Sequence, residues 1–211
     1  QAFCTVPPSQ YSFPAFLQYT SVSTGTPKGV VVSSENLLHN LRNIASLFRF
    51  TEGSRVVSWL PHFHDMGLVG SILTSLYAGA QCILLSPVDF IQKPYRWLKA
   101  VSEYGGTLAG APNFAYDLCV SKIRGEQVDT LDLRSWGLAW NGSETIRAST
   151  IAAFAEHFRR AGFRKEAFAP CYGLAEATLM VTGCGADTEN KIISITQSSH
   201  LSGESVELAD S

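Results

Sequence analysis

Short runs of apolar residues alternate along this chain with stretches in which apolar side chains recur every three or four positions. Phe16 to Tyr19 reads as a short strand entering a cluster of Ser, Thr and Gly, "TSVSTGTPKG", which the chain leaves through three valines. A helix is predicted over Ser34 to Phe48. Ser33 or Ser34 offers an N-cap hydroxyl, and Leu37, Leu38, Leu41, Ile44, Ala45 and Phe48 share one face. Arg55 to Leu60 has the run of a buried strand, Gly67 to Tyr77 of a helix, Gln81 to Leu85 of a strand, and Tyr95 to Tyr104 of a helix. Thr107 to Ala109 follows as a short strand, Phe114 to Ile123 as a helix, Gly137 to Trp140 as a strand, and Ile146 to Ala161 as a long helix. This alternation predicts an α/β fold: a mostly parallel sheet with helices on both faces. From Cys184 onward the periodicity fades, leaving one strand candidate at Lys191 to Thr196.

In such sheets ligands gather beyond the carboxyl ends of the strands, which directs attention to the loops there. They are "TSVSTGTPKG", "PHFHDMG", "SPVDF", "GAPNF", "NGSE" and "CYGLAE". In the first, the hydroxyls of Thr20, Ser21, Ser23, Thr24 and Thr26 can donate to phosphate oxygens. Gly25 and Gly29 admit backbone N–H groups, and Lys28 adds a point charge. The lysine precedes its glycine and follows a proline, so this is not the GxxxxGK phosphate loop. A plain turn is the competing reading. "HFHD" invites a metal, but His39, His157 and His200 are isolated and complete no ligand set. His64 is then either a substrate contact or a packed structural histidine. Glu176, placed by the pattern at the start of a helix, either caps that helix or, beside a phosphate site, would hold Mg²⁺. Ser143 lacks the GxSxG frame of a nucleophile.

Composition narrows the classes. The 211 residues, 45% hydrophobic and 16% charged, describe a globular chain able to build one core or part of a larger domain. A net charge of −2 without a basic block excludes an electrostatic nucleic-acid binder. Five scattered cysteines without a CxxC pair argue against a disulfide framework or zinc site and for a reducing, cytoplasmic setting. No secretory signal opens the sequence, and Met66 to Leu85, its most apolar segment, is broken by Gly67, Gly70, Gly79 and Gln81, so no membrane span is expected. The chain opens without Met on "QAFCTVPPSQ" and stops in "SSHLSGESVELADS", as expected of a piece of a longer polypeptide.

Together and in order, the loops carry more than each does alone. "YTSVSTGTPKGVVVS", "LPHFHDMGL", "GAPNFAYDLC", "WNGSE" and "CYGLAEATL" resemble the motifs of the adenylate-forming superfamily, and their wording resembles its fatty-acyl-AMP ligases. The resemblance runs from about Phe16 to Gly183 and implies the large N-terminal domain of that fold. Residues 1–183 would form the core of the AMP-binding domain and 184–211 its truncated continuation, with the C-terminal lid domain absent. It further implies activation of a fatty acid with ATP and Mg²⁺ to acyl-adenylate and pyrophosphate. Transfer to an acyl carrier protein follows, often in polyketide or lipopeptide assembly. By position, Thr20, Ser21, Ser23, Thr24, Gly25 and Lys28 match the loop over the β- and γ-phosphates, and His64 the histidine beside the carboxylate and α-phosphate. Asn141, Gly142, Ser143 and Glu144 match the adenine-lining segment, with Tyr172 against the base and Gly173 and Leu174 completing the turn. Glu176 matches the Mg²⁺ carboxylate, so His64, Lys28 and Glu176 carry the catalytic roles. Pro112, Asn113 and Phe114 should border the acyl tunnel. Ala175 stands where most relatives have a threonine that contacts the α-phosphate. The alternatives are a long-chain acyl-CoA synthetase and a catalytically impaired adenylate- or lipid-binding module.

Two departures carry expectations. The segment ends before the family's ribose-binding aspartate and the lid lysine, so by itself it should catalyse little. Val22 replaces the middle glycine of the family's "TSGSTG". A β-branched residue at a positive-φ position is strained by roughly 1–3 kcal/mol, and its bulk would narrow the phosphate path. Weakened ATP turnover is therefore expected. In the full-length protein, Val22→Gly should raise the rate of ATP-dependent acyl-adenylate formation; equal rates would overturn this reading.

Overall fold

The computed structural model describes residues 13–20, 28–185, 188 and 191–193. The opening strand, β1 (Pro14–Tyr19), pairs antiparallel with β2 (Gly29–Ser33), and the two form a sheet of their own. The expected strand-loop-helix setting of the Ser/Thr-rich cluster is thus corrected to a hairpin. Thr20 N–H donates to the Lys28 carbonyl at 3.0 Å and closes its neck. The three valines lie in β2, which leads directly into α1 (Ser34–Leu47). Ser33 is the N-cap: its hydroxyl accepts from Asn36 N–H, while the Asn36 side chain returns to Ser33 N–H.

A second sheet of six strands has the order β4-β3-β5-β6-β7-β8. β3 (Arg55–Ser58), β4 (Gln81–Leu84), β5 (Leu108–Ala111), β6 (Leu138–Asn141) and β7 (Phe168–Gly173) run parallel. β8 (Met180–Gly183) returns antiparallel on β7. Every residue of β5 and β6 is buried, so both faces of the sheet are covered. Strand periodicity assigns the two sides. Trp140 stacks on Phe48 at the end of α1, and its neighbour Asn141, pointing the other way, meets Asn113 of α5 (Asn113–Lys122). On the α5 side, Tyr116, Phe154 of α7 (Ala148–Phe158), Phe163 and Phe168 pack edge to face, with Trp136 against Phe154 and Phe163. Such ring pairs add about 0.5–1.5 kcal/mol each beyond buried area.

Several expected boundaries move for local reasons. The helix predicted over 67–77 begins as a π-helix, Met66–Leu73, before becoming α2 (Thr74–Ala78). Gly67 lies so close to the Pro61 carbonyl that a Cβ would sit 2.1 Å from its oxygen. The widened turns recover hydrogen bonds through hydroxyls: Ser71 donates to Met66 O and Thr74 to Val69 O, both five residues back. The strand expected over 55–60 ends at Ser58, and that over 107–109 is displaced to 108–111. The long helix of 146–161 starts at Ala148 and tightens to a 3₁₀ turn at Arg159–Ala161. "SPVDF", read as a loop, opens α3 (Pro87–Gln92), where the Ser86 hydroxyl caps and Pro87 occupies the first turn. α4 (Tyr95–Tyr104) falls where predicted, and a one-turn α6 (Gly125–Val128) was not anticipated. Of the strand candidate at 191–196, residues 191–193 are not in a strand and the rest lie outside the described residues.

Gly110 makes room for Trp140: a Cβ there would stand 2.2 Å from the indole. Gly110→Ala should destabilise the full-length protein by about 1–3 kcal/mol in denaturant unfolding, through overpacking between β5 and β6. An unchanged midpoint would show that the indole can move aside freely.

Candidate active site

Beyond the carboxyl ends of β3, β6 and β7 lies a cleft of about 430 Å³. Its deep end is apolar: Ile44 and Phe48 of α1, Met66 of the π-helix and Trp140 of β6 are all buried, with Leu179 beside them. Its outer end carries Thr20, His64, Ser143, Tyr172 and Glu176. One cavity thus offers polar and charged groups at one end and an aliphatic-aromatic floor at the other.

His64 is delivered by the loop after β3. Its N–H donates to Pro61 O at 3.1 Å, and its carbonyl accepts from Leu68 N–H at 2.8 Å. Asp65 is buried, caps the π-helix by accepting from Met66 N–H at 2.7 Å, and lies 2.7 Å from His64 Nδ1. The hydrogen bond to the Asp65 carboxylate raises the His64 pKa above its ordinary value of 6.5; burial works against it, and the negative charge of Asp65 adds to the rise. With Nδ1 committed to Asp65, Nε2 is the nitrogen left for a ligand. Of the two readings of His64, substrate contact or packed residue, the half-exposed ring on the cleft wall fits the first.

Gly142 and Ser143 reach the cleft from the end of β6. A Cβ on Gly142 would meet Cys171 O and Sγ at 2.8 Å, and Ser143 adopts a left-handed φ of 69°. The neighbouring residues are turned inward. Asn141 is fully buried, and its amide faces Asn113 Oδ1 at 3.4 Å. Asn113 also donates to Thr150 Oγ1 at 3.0 Å and accepts from Arg147 N–H at 3.1 Å. Glu144 accepts from Phe114 N–H at 2.6 Å, covering the amino end of α5. Asn141 and Glu144, expected beside adenine, therefore do not line this cleft. Pro112, Asn113 and Phe114, expected at the acyl tunnel, do not line it either.

The β7–β8 hairpin supplies the opposite wall. Tyr172 presents an exposed ring. Gly173 runs so close to the returning strand that a Cβ would stand 2.0 Å from Leu179 O, and Leu174 N–H donates to that carbonyl at 2.8 Å. Glu176 does not start a helix as expected: it sits in a three-residue 3₁₀ turn, Ala175–Ala177, and so has no helix of any length to cap. It faces the cleft without an ion pair or hydrogen bond among the described residues. Thr178, buried behind it, is held at φ 71° and ψ −53°, a conformation that strains a β-branched residue by roughly 1–3 kcal/mol. Lys28 stands at the hairpin neck, outside the cleft lining. Ser21, Val22, Ser23, Thr24, Gly25 and Thr26 lie outside the described residues.

The AMP-binding enzyme family pattern matches residues 2–210. The chain belongs to this family. It is 46% identical over 181 residues to the medium-chain-fatty-acid–acyl-carrier-protein ligase TtuA of Teredinibacter turnerae, covering 86% of this chain and 28% of that protein. Against the long-chain-fatty-acid–AMP ligase FadD26 of Mycobacterium marinum it is 42% identical over 179 residues, 82% of this chain and 31% of the relative. Among solved structures, the fatty acyl-adenylate ligase from L. pneumophila in complex with acyl adenylate and pyrophosphate superposes with a TM-score of 0.90 at 49% identity. That match covers 95% of this chain and 35% of the other. The family member described here thus spans about a third of the length of its relatives, and the mostly parallel sheet is that of their adenylate-forming fold.

The donor set fits a nucleotide and its cation. Among the described residues no group of three His, Cys, Asp or Glu could hold a metal alone. A single unpaired carboxylate, Glu176, suits Mg²⁺, which characteristically takes one or two carboxylates together with substrate phosphates and water. Nor is any helix among the described residues long and apolar enough to cross a membrane.

The raised His64 pKa has a signed consequence. The imidazolium is favoured in the folded state, so the His64–Asp65 contact stabilises fully below the ordinary value of 6.5 and is lost as pH rises through the raised folded value. The stability gap between the full-length protein and its His64→Gln variant should be largest below the ordinary value of 6.5 and shrink as pH rises above it. A gap that grows with pH would show that Asp65 does not hold the proton on His64.

Proposed function

We propose that this chain is the nucleotide- and acyl-gripping part of a fatty-acyl-AMP ligase. The observation that carries this reading is one cleft that is polar at the mouth and apolar at the floor. An acyl-adenylate has that same polarity: a charged, aromatic nucleotide joined to an aliphatic tail. In the reaction, a carboxylate oxygen attacks the α-phosphorus of ATP. The bond from that phosphorus to the bridging oxygen breaks, pyrophosphate leaves with the electron pair, and no proton changes hands. Catalysis then rests on positioning and charge stabilisation.

His64, held through Nδ1 by Asp65, offers Nε2 to the oxygens at the reacting centre. Tyr172 gives the base a flat apolar platform, with Gly142, Ser143, Gly173 and Leu174 beside it, and Ala175 offers no hydroxyl where a threonine would contact the α-phosphate. Thr20, Ser21, Ser23, Thr24, Gly25 and Lys28 supply the groups for the β- and γ-phosphates. Glu176 would hold Mg²⁺, which neutralises phosphate charge when bound. The acyl tail runs to the floor made by Ile44, Phe48 and Trp140. Pro112, Asn113 and Phe114, the expected border of the acyl tunnel, are not part of this cleft's lining. The acceptor is an acyl carrier protein, as in the name of its relative TtuA. The cytoplasm is the compartment proposed. The division into a core of residues 1–183, its continuation 184–211 and a separate lid elsewhere in the polypeptide belongs to the same proposal.

The full-length protein should exchange pyrophosphate into ATP only when a medium- or long-chain fatty acid is present. Glu176→Ala should reduce that exchange by about 10²-fold or more. Acyl thioester should form on a phosphopantetheinylated carrier protein and not on free coenzyme A; the reverse would make the protein an acyl-CoA synthetase. Binding of a non-hydrolysable acyl-adenylate mimic without exchange would favour the impaired binding module.

A further inference from the structure

Asn40 lies outside the sequence motifs, yet it is the anchor of the turn that carries Glu176. It sits in the middle of α1, 6% exposed, on the same apolar stripe as Leu41 and Ile44. A buried amide in that position is costly unless its hydrogen bonds are made. All of those observed go to one target. Asn40 Nδ2 donates to Ala177 O at 3.2 Å and to Met180 O at 2.9 Å, and Oδ1 accepts from Met180 N–H at 3.1 Å. Only an amide can do this: an aspartate lacks the two donors, and an aliphatic residue lacks both functions.

Two further observations make this clamp more than packing. The bonds straddle Thr178, the strained residue with φ 71°, and such a conformation persists only where its surroundings over-determine it. In addition, part of the turn borders open space. A second, partly open cavity of about 300 Å³ is lined by β2, α1 and the turn itself, Glu176 and Ala177 included. Beside the turn's own backbone bonds, Ala177 N–H to Leu174 O and Thr178 N–H to Ala175 O, the Asn40 amide supplies the side-chain contacts that tie it to α1. Because α1 follows directly from β2, the same helix joins the anion-binding hairpin to the Glu176 turn.

We infer that Asn40 is a positioning residue that holds Glu176 at the phosphate-facing wall of the cleft, and so tunes how the enzyme uses its divalent cation. This rests on the reading of Glu176 given above. The test is a double-mutant cycle in the full-length protein with Asn40→Ala, Asn40→Asp, Glu176→Ala and both double variants. Fatty-acid-dependent ATP–pyrophosphate exchange is followed across a Mg²⁺ titration, with Mn²⁺ binding in the presence of ATP measured by electron paramagnetic resonance. Asn40→Ala should lower kcat and the apparent cation affinity by about 10-fold or more, with a smaller change in the KM for fatty acid. Asn40→Asp should not rescue either quantity. In the Glu176→Ala background the Asn40 substitutions should add little. Losses that multiply in the double variants, or an Asn40→Ala variant that lowers only the melting temperature, would overturn the assignment. Should Glu176→Ala alone leave exchange and Mn²⁺ binding unchanged, the reading of Glu176 fails, and the positioning role falls with it.

Discussion

A strand buried on both faces has no side on which to carry chemistry. β5, Leu-Ala-Gly-Ala, and β6, Leu-Ala-Trp-Asn, are wholly enclosed, and the one polar side chain they contain, Asn141, stands at the final position of β6. This constraint organises the molecule. Polar groups are driven to the carboxyl edge of the sheet, where loops can satisfy or expose them. The packing that encloses the strands also sizes the cleft: Gly110 recedes so that Trp140 can turn toward Phe48 and form the apolar floor.

At that edge the polar residues divide into those that hold the loops and those that line the cleft. Asn113, Asn141, Thr150 and the Arg147 amide form one network joining β6, α5 and α7, and Glu144 holds the amino end of α5 beside it. Asn40 does the corresponding work for the β7–β8 hairpin. With these bonds made, Ser143 and Glu176 are presented to the cleft on backbones that could not hold their shape alone, both beside residues of positive φ or at them. His64 combines the two roles, since the buried carboxylate that orients its ring also raises its proton affinity.

Much of this was legible in the residues themselves. Apolar spacing placed α1, α4 and the central strands within a few positions, because one-sided or two-sided burial leaves a period in the sequence. Asn40 left a signal too, a polar residue on an apolar stripe, but its meaning required a partner 137 residues away. The π-helix was not readable, since its cause is the Pro61 carbonyl pressing on Gly67 rather than any local propensity. Nor was the hairpin nature of the Ser/Thr-rich loop, because antiparallel and parallel neighbours begin with the same short apolar run.

The order and wording of the loops determined by themselves the family, the α/β class and the edge of the sheet at which to search. Those are properties of local chemistry and period, and they survive without coordinates. The tertiary structure alone decided which residues of each motif face the cleft. Asn141 and Asn113 look in sequence as available as Ser143, yet both are buried, and the Asn141 amide N–H is spent on Asn113 in joining β6 to α5. Glu176 looks like a cap until its helix proves to be a single tight turn. The difference lies in hydrogen bonds between residues far apart in the chain. Their formation depends on burial and direction in space, which no reading along one dimension can supply.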